Sequence, residues 1–435
     1  MKKPRSAPGI FGDGVQTLVT RILNLVISAA MAILISRALG PHGRGLFVLP
    51  GLLAALGGTS FSALKTALSR AMLQDGAGRG GVRAAVLSAV PLVAGGAIVA
   101  SVLGMVLHAL WAVPYAIAVL PFMAMATIAS GYSYGLGNVR LPNAINLWST
   151  IMTLAFIGSG LLLESRDASV AIVMWLAANV VLGVACMAGV LVHARKLKQD
   201  SVSTRKFLHY TLRLSGMYVA RVLNYRIDMY VVAFLTSVTA LGLYGVAVSG
   251  AEALLTFTEV AAVVTIPRIG ALPRQEAAAF TARCLRYNLL LASIAAAALA
   301  IVAPFAVVLV YGRAFAPAIS SLQVLCIGVV ALSMIGVITN YYTLNTGRPM
   351  VALLMQLGSM AICVALSFLL VPVVGIVGAA IATSVSYVVS VTAILVWFSR
   401  QEKIALSAIL LPQRDDIVYL WERTIPRARR SATSA

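Results

Sequence analysis

Two polar stripes interrupt segments of the chain that are otherwise almost entirely apolar. The first stripe consists of Arg21, Asn24 and Ser28, whose spacing places the three side chains on one face of a helix. The second stripe has the same spacing and consists of Arg221, Asn224 and Asp228. Arginine suits phosphate because its planar guanidinium donates paired hydrogen bonds and stays charged. The stripes therefore predict a cavity for an anionic group, with an aspartate available for a proton or a cation.

Three further charges lie in apolar segments, one in the segment of the second stripe and two in the segment that follows it. Arg226 points away from the second stripe and is expected to meet a neighbouring helix, whereas Glu252 and Glu259 are seven positions apart and share one face. The candidate ion-coupling residues are Asp228, Glu252 and Glu259. The candidate substrate-binding residues are Arg21, Asn24, Arg221, Asn224 and Arg226.

A plainer interpretation is that these charges only neutralise one another, because a charge in mid-membrane is costly unless it is paired or hydrated. Glu252 would then pair with Arg226 or Arg221, and Asp228 would pair with Arg21. Recurrence of the stripe at two places in the chain favours the cavity, since structural ion pairs do not require it.

The composition requires lipid as the main solvent of the elements that carry these stripes. Of 435 residues, 60% are hydrophobic and 11% are charged, against about 25% charged residues in a typical soluble domain. We predict an all-α polytopic membrane protein, because a spanning helix needs about 20 mostly apolar residues. The predicted spans are 15–38, 46–68, 84–109, 112–136, 143–163, 169–193, 211–235, 241–266, 287–311, 319–344, 351–372 and 375–398.

The basic residues predict the orientation of these twelve spans. Most of the 33 Lys and Arg residues fall in the even-numbered loops and at the two ends of the chain. Basic loops stay on the cytoplasmic side, so both termini are predicted to be cytoplasmic. The same rule accounts for the net charge of +20 without a nucleic-acid partner. The arginines predicted on the opposite side are Arg37, Arg44, Arg166 and Arg313.

The chain repeats itself at nearly one offset. Three pairs of segments match in register: 21–24 with 221–224, 45–47 with 242–244, and 134–140 with 342–348. This repetition predicts an N-terminal six-helix lobe at 1–200, a C-terminal six-helix lobe at 201–400 and a basic cytoplasmic tail at 401–435. Parallel repeats of this kind build transporters whose halves rock about a central site.

Enzymatic and ATP-driven chemistry have no matching motif. The sequence contains neither a phosphate-binding loop followed by Lys-Ser/Thr nor a Gly-x-Ser-x-Gly elbow. Its four histidines are scattered, and its four cysteines lack metal-ligand spacing. We therefore expect a transporter without a metal or organic cofactor.

Several ordered motifs resemble the polysaccharide flippase branch of the multidrug/oligosaccharidyl-lipid/polysaccharide (MOP) exporter superfamily. The resemblance runs along nearly all of the spans, and its motifs lie at 36–45, 226–228, 242–244, 311–315, 345–349 and 371–380. Unlike lipid II flippases, which have a further helix pair, the chain has clear spans only to about residue 399. Segment 404–412 is apolar but too short to span a membrane.

The resemblance implies alternating access by two lobes in the bacterial inner (cytoplasmic) membrane. The expected cargo is an undecaprenyl-diphosphate-linked oligosaccharide, flipped from the inner to the outer leaflet for polysaccharide synthesis. An H⁺ or Na⁺ gradient would drive it, and Arg21, Arg221 and Arg226 would supply the basic cavity. Partners would be membrane lipids, a polysaccharide polymerase and assembly proteins.

Three alternatives stay open at this point. The first is an ion-coupled drug or cation antiporter of the same superfamily, although cationic drugs need an acidic cavity. The second is a membrane glycan polymerase or ligase, although the predicted outer loops are short. The third is a scaffold that has kept the fold and lost transport.

Overall fold

The computed structural model describes residues 8–163 and 167–411, and these residues are almost entirely helical. Helices satisfy every backbone hydrogen bond within one segment, which hydrocarbon demands. The helices are α1 Pro8–Gly57, α2 Thr59–Gln74, α3 Arg79–Val106, α4 Val113–Gly135, α5 Arg140–Leu163, α6 Ala168–Ala194, α7 Thr204–Leu235, α8 Val238–Ala271, α9 Arg274–Tyr311, α10 Ala318–Ser333, α11 Ile335–Asn340, α12 Pro349–Val374, α13 Ile376–Glu402 and α14 Leu406–Leu410. A π-helical turn, Tyr341–Asn345, extends α11.

Within the described residues, ten helices are long and apolar enough to cross a membrane. Gly40 has φ 66° and ψ −175°, so α1 consists of two arms, 8–39 and 41–57, that meet at a kink. A left-handed φ of this kind favours glycine. The ten helices correspond to eleven predicted spans when α1 is divided at Gly40. The twelfth predicted span is the helix α7, which carries charged residues and is not among the ten. The structure confirms the prediction of an all-α polytopic membrane protein.

Several helices are longer than the apolar pattern predicted. The predicted spans 211–235 and 287–311 begin in the structure at Thr204 and Arg274. The second predicted span continues across Gly58 into α2, which ends at Gln74. Hydropathy detects only the part of a helix that suits hydrocarbon, whereas the polar ends of the same helix extend beyond it.

The loop between the two halves of the chain is docked rather than free. Both carboxylate oxygens of Asp200 accept hydrogen bonds from the turn between α2 and α3, at 3.0 Å from the Gly78 amide and 2.6 Å from the Gly80 amide. Arg79 donates to the carbonyl of Ala194 at 3.0 Å. The linker is therefore held against the N-terminal half.

The chain beyond α13 turns back on the molecule. The five-residue helix α14 packs against α9, and its Ile409 is fully buried. Glu402 pairs with Arg274 at 2.8 Å. Helix α14 is too short to span a membrane, as predicted for 404–412. Residues 412–435 of the predicted tail lie outside the described residues.

The two halves meet where α1 packs on α8 and α2 packs on α7. At one end of the α1–α8 contact, the kinked part of α1 crosses the start of α8 at a place we name the seam, residues 37–45 against 238–245. A Cβ at Gly45 would overlap the carbonyl oxygen of Val238, and a Cβ at Gly242 would overlap the carbonyl oxygen of Pro41. The repeated Gly-Leu-aromatic motif thus supplies a reciprocal backbone contact that closes the seam.

The substitution Gly45→Ala is expected to destabilise the protein by about 1–3 kcal/mol, the usual cost of overpacking. The added methyl group has to push apart two backbones that no rotamer change relieves. Thermal unfolding in detergent measures the loss. Gly51→Ala is the matched control, because a Cβ there has no neighbour within 4 Å. Equal unfolding temperatures for the two variants would contradict the close contact.

A candidate anion-binding cavity between the two halves

A cavity of about 460 Å³ lies between α1 and α8. Its size falls within the usual range of ligand pockets, about 300–1,000 Å³. Helix α1 contributes the whole first stripe, because its three side chains share the face that packs towards α8. The polar side chains that line the cavity are Arg21, Asn24, Ser28, Ser249, Glu252, Thr256 and Tyr311.

Arg21 has an exposed side chain in this lining. Among the described residues, no carboxylate lies within ion-pair distance of its guanidinium. One turn further along α1, the side-chain oxygen of Asn24 is buried and has no hydrogen-bond partner in the described part of the chain. A cation without a carboxylate partner in the described chain, beside a buried acceptor, suits a ligand that carries both an anion and hydroxyl groups.

Glu252 faces the same cavity but is neutralised. Its Oε1 lies 2.9 Å from the guanidinium of Arg226, with 42% and 35% of the two side chains exposed. The structure thus realises the plainer interpretation for this one pair. Arg226 also contacts the sulfur of Met229 at 3.5 Å. Because Glu252 is paired with Arg226, no described residue of the cavity lining neutralises the charge of Arg21.

The substitution Glu252→Gln is expected to change stability by less than about 1 kcal/mol, because pairs this exposed are screened by solvent. It would nevertheless free Arg226 and make the cavity more cationic. We expect the variant to bind pyrophosphate several-fold more tightly, measured by titration calorimetry at two salt concentrations. Thr256→Val, another change in the lining of the cavity, serves as the uncharged control. Weaker pyrophosphate binding by Glu252→Gln would contradict this assignment.

The prediction that both stripes line one cavity is wrong for the second stripe. Asn224 and Asp228 are buried, with 6% and 5% exposure, because that face of α7 packs against α8, α12 and α13 of its own half. The hydroxyl of Tyr387 donates to the backbone carbonyl of Asn224 at 3.4 Å. Arg221 is exposed and is not among the residues that line the cavity. The predicted pairing of Asp228 with Arg21 is also wrong.

Asp228 lies in a hydroxyl-rich pocket inside the C-terminal half. Its Oδ2 accepts hydrogen bonds from Tyr244 at 2.7 Å and from Thr383 at 3.3 Å, and its Oδ1 accepts from the Met229 amide. The sulfur of Cys363, on α12, is 3.6 Å from the Thr383 hydroxyl. A carboxylate among hydroxyl oxygens offers the ligand types that a proton or a hard cation requires.

Sequence reasoning missed three of these residues. Tyr244 was noticed only as part of a repeat, and Thr383 lies among serines that give α13 a polar face within an apolar helix. Arg44, assigned to a loop, is a buried residue of α1 with 5% exposure. The side chain of Glu259 lies outside the described residues. Within them, no group of three His, Cys, Asp or Glu residues is placed to hold a metal ion.

Comparison with known proteins agrees with this architecture. Residues 144–320 match the family described as polysaccharide biosynthesis protein. The chain resembles the inward-facing conformation of a multidrug resistance MATE family transporter of the MOP superfamily, with 16% identity and a TM-score of 0.69 over 91% of this chain and 98% of that one. No curated protein matches significantly.

Two further solved structures share the fold. The lipid II flippase MurJ, in its inward closed conformation, has 14% identity and a TM-score of 0.70 over 95% of this chain and 93% of that one. A MOP superfamily transporter from Pyrococcus furiosus has 16% identity and a TM-score of 0.60, over 91% and 96% of the two chains. The family match at 144–320 and the fold shared over nearly the whole chain agree with the predicted resemblance: the chain is a multi-pass membrane protein with the fold of these MOP superfamily structures and of MurJ.

Proposed function

We propose that this protein is a flippase that moves an undecaprenyl-diphosphate-linked oligosaccharide from the inner to the outer leaflet of a bacterial cytoplasmic membrane. The observation that carries the proposal is the charge of the cavity. Arg21 has no described carboxylate partner, while the carboxylate of Glu252 is already paired with Arg226. The excess positive charge suits a diphosphate, which hydrocarbon cannot solvate.

The way the halves meet supports alternating access. The seam closes one end of the α1–α8 contact, and the first stripe lies further along the same contact. Rocking of the halves about this contact would expose the diphosphate to either leaflet in turn. The lipid tail would stay in the bilayer, while the glycan passes with the diphosphate through the cavity.

Asp228 is the residue we propose for ion coupling, with H⁺ or Na⁺ as the coupling ion. Its carboxylate is 5% exposed and is held by the hydroxyls of Tyr244 and Thr383 rather than by a described cation at ion-pair distance. Protonation or Na⁺ binding would change the charge inside the C-terminal half. That change is able to bias the packing of α7 against α8, and with it the orientation of the half.

A drug or cation antiporter of the same superfamily is the main rival. A cationic substrate needs unpaired acidic groups, whereas the only lining carboxylate described here belongs to the pair with Arg226. A polysaccharide polymerase and assembly proteins remain the proposed partners, because they would receive the flipped glycan, and membrane lipids would surround the helices.

The test is transport by the purified full-length protein in liposomes. A fluorescent isoprenyl-diphosphate oligosaccharide is placed in both leaflets, and a membrane-impermeant glycosidase reports the fraction that reaches the outer leaflet. We expect protein-dependent flipping of this probe and no movement of a cationic dye. Dye transport without glycan flipping would replace the proposal with the antiporter.

A matched cellular experiment uses a deletion strain. Lipid-linked glycan is expected to accumulate on the cytoplasmic side of the membrane and to be exported again when the wild-type chain is restored. Normal export in the deletion strain, together with inactivity in liposomes, would overturn the flippase assignment.

A further inference from the structure

Arg44 is a buried cation whose hydrogen bonds join the two halves at the seam. One terminal nitrogen donates to the carbonyl of Ala32, at 2.9 Å, and to the hydroxyl of Ser36, both on the first arm of α1. The other donates to the carbonyl of Gly245 at 3.2 Å and to the hydroxyl of Ser249 at 3.1 Å, both on α8. All four acceptors are neutral.

The guanidinium of Arg44 is only partly satisfied. Its Nε is buried without a hydrogen-bond partner, and no carboxylate within the described chain lies at ion-pair distance. The ring of Tyr311 lies 5.7 Å from its central carbon. A buried arginine normally has a charged partner, since removing a charge from water is otherwise costly. Arg44 is therefore suited to accept an anion.

The position of Arg44 joins it to the substrate cavity. Its partners Ala32 and Ser249, and the Tyr311 ring beside it, all line that cavity. Arg21 contributes to the same cavity about six helical turns before Arg44 along α1. An anion held first at Arg21 would thus find a second, less hydrated cation against the seam.

We propose that Arg44 is an anion-operated latch: a phosphate group in the cavity draws its guanidinium away from Gly245 and Ser249, and so releases the seam. Arginine binds phosphate through paired, charge-assisted hydrogen bonds that are frequently bidentate, whereas its two acceptors on α8 are neutral. Loss of the two bonds to α8 removes a connection between the halves. The inference rests on the proposed function, because it assigns this role to the diphosphate of the flipped lipid.

The test measures opening of the seam rather than transport. The substitution Ala29→Cys places a reporter thiol in the cavity lining of the full chain, after the four native cysteines are replaced. Right-side-out vesicles are loaded with inorganic pyrophosphate or with chloride, and an impermeant maleimide is added outside. Pyrophosphate is expected to increase the labelling rate at least about fivefold, the lower end of typical coupling between sites.

Arg44→Gln separates a latch from a purely structural contact. In this variant the maleimide is expected to label the reporter thiol quickly without pyrophosphate, and pyrophosphate should not increase the labelling rate further. Arg37→Gln is the matched control, because Arg37 also joins the halves, through the carbonyl of Val310 at 2.7 Å, but is exposed and does not line the cavity. That variant should label faster at baseline and keep its response to pyrophosphate.

Three results overturn the latch: no response in the otherwise unchanged protein, a full response in Arg44→Gln, or loss of the response in Arg37→Gln. Arg44→Lys, which keeps the charge without the planar fork, guards against a folding defect and should retain a reduced response. If the protein flips the glycan but pyrophosphate does not open the seam, the latch proposal is wrong and the flippase proposal stands. If pyrophosphate opens the seam but the protein does not flip the glycan, the substrate assignment is wrong and the latch proposal stands.

Discussion

Replacement of Arg21 by alanine is expected to slow glycan flipping in liposomes by about tenfold or more. Hydrogen bonds to a charged group contribute about 1.5–3 kcal/mol, and each 1.36 kcal/mol is a tenfold change in rate. The side chain is exposed in the cavity and forms no described ion pair, so its removal should leave the folded protein nearly as stable as before.

Two variants make the Arg21 experiment specific. Arg21→Lys keeps the charge but loses the paired donors, so its flipping rate should fall between those of alanine and arginine. Arg83→Ala removes an exposed arginine of α3 that is not among the residues lining the cavity, and it should flip at the wild-type rate. Equal rates for Arg21→Ala and Arg83→Ala would remove Arg21 from the substrate site.

The second large effect is expected for Asp228→Asn. Asparagine has nearly the same shape and keeps an oxygen for the hydroxyls of Tyr244 and Thr383. It cannot exchange a proton, and it lacks the charge that would hold Na⁺. We therefore expect accumulation of glycan against its gradient to be lost, while slow equilibration between the leaflets persists.

The measurement imposes a pH gradient or a Na⁺ gradient on proteoliposomes and follows net glycan movement. Whichever gradient accelerates the wild-type protein identifies the ion, and Asp228→Asn should respond to neither. Cys363→Ser serves as the control, because the described hydrogen-bond partners of this thiol are the hydroxyls of Thr383 and Ser367 rather than the carboxylate. Undiminished driven transport by Asp228→Asn would remove Asp228 from coupling.

The candidate site was only partly predictable from the chain. The helical spacing of Arg21, Asn24 and Ser28 correctly placed these side chains on one face, and the structure puts that face in the cavity. The same argument failed for Asn224 and Asp228, whose face of α7 is covered by helices of the same half. Spacing tells which residues share a face, but not which neighbour covers it.

The sequence also could not predict which charged side chains pair with each other. The sequence left open whether Glu252 meets Arg221, meets Arg226 or faces the cavity unpaired, and the structure records the ion pair with Arg226. Arg44 was missed altogether, because the kink at Gly40 leads directly into a second helical arm where a loop was expected. The arginine thereby points into the α1–α8 contact instead of into water.

Composition and internal repetition were enough to establish the solvent, the fold class and the likeness between the two halves. Apolar length and composition are local properties, and lipid leaves helices as the form that satisfies the backbone of these segments. Helix packing, in contrast, encloses Asp228 within one half and places Arg21 and Arg44 along the contact between the halves. These outcomes depend on packing between helices remote in the chain, where a missing Cβ at Gly45 and Gly242 sets how closely the halves approach.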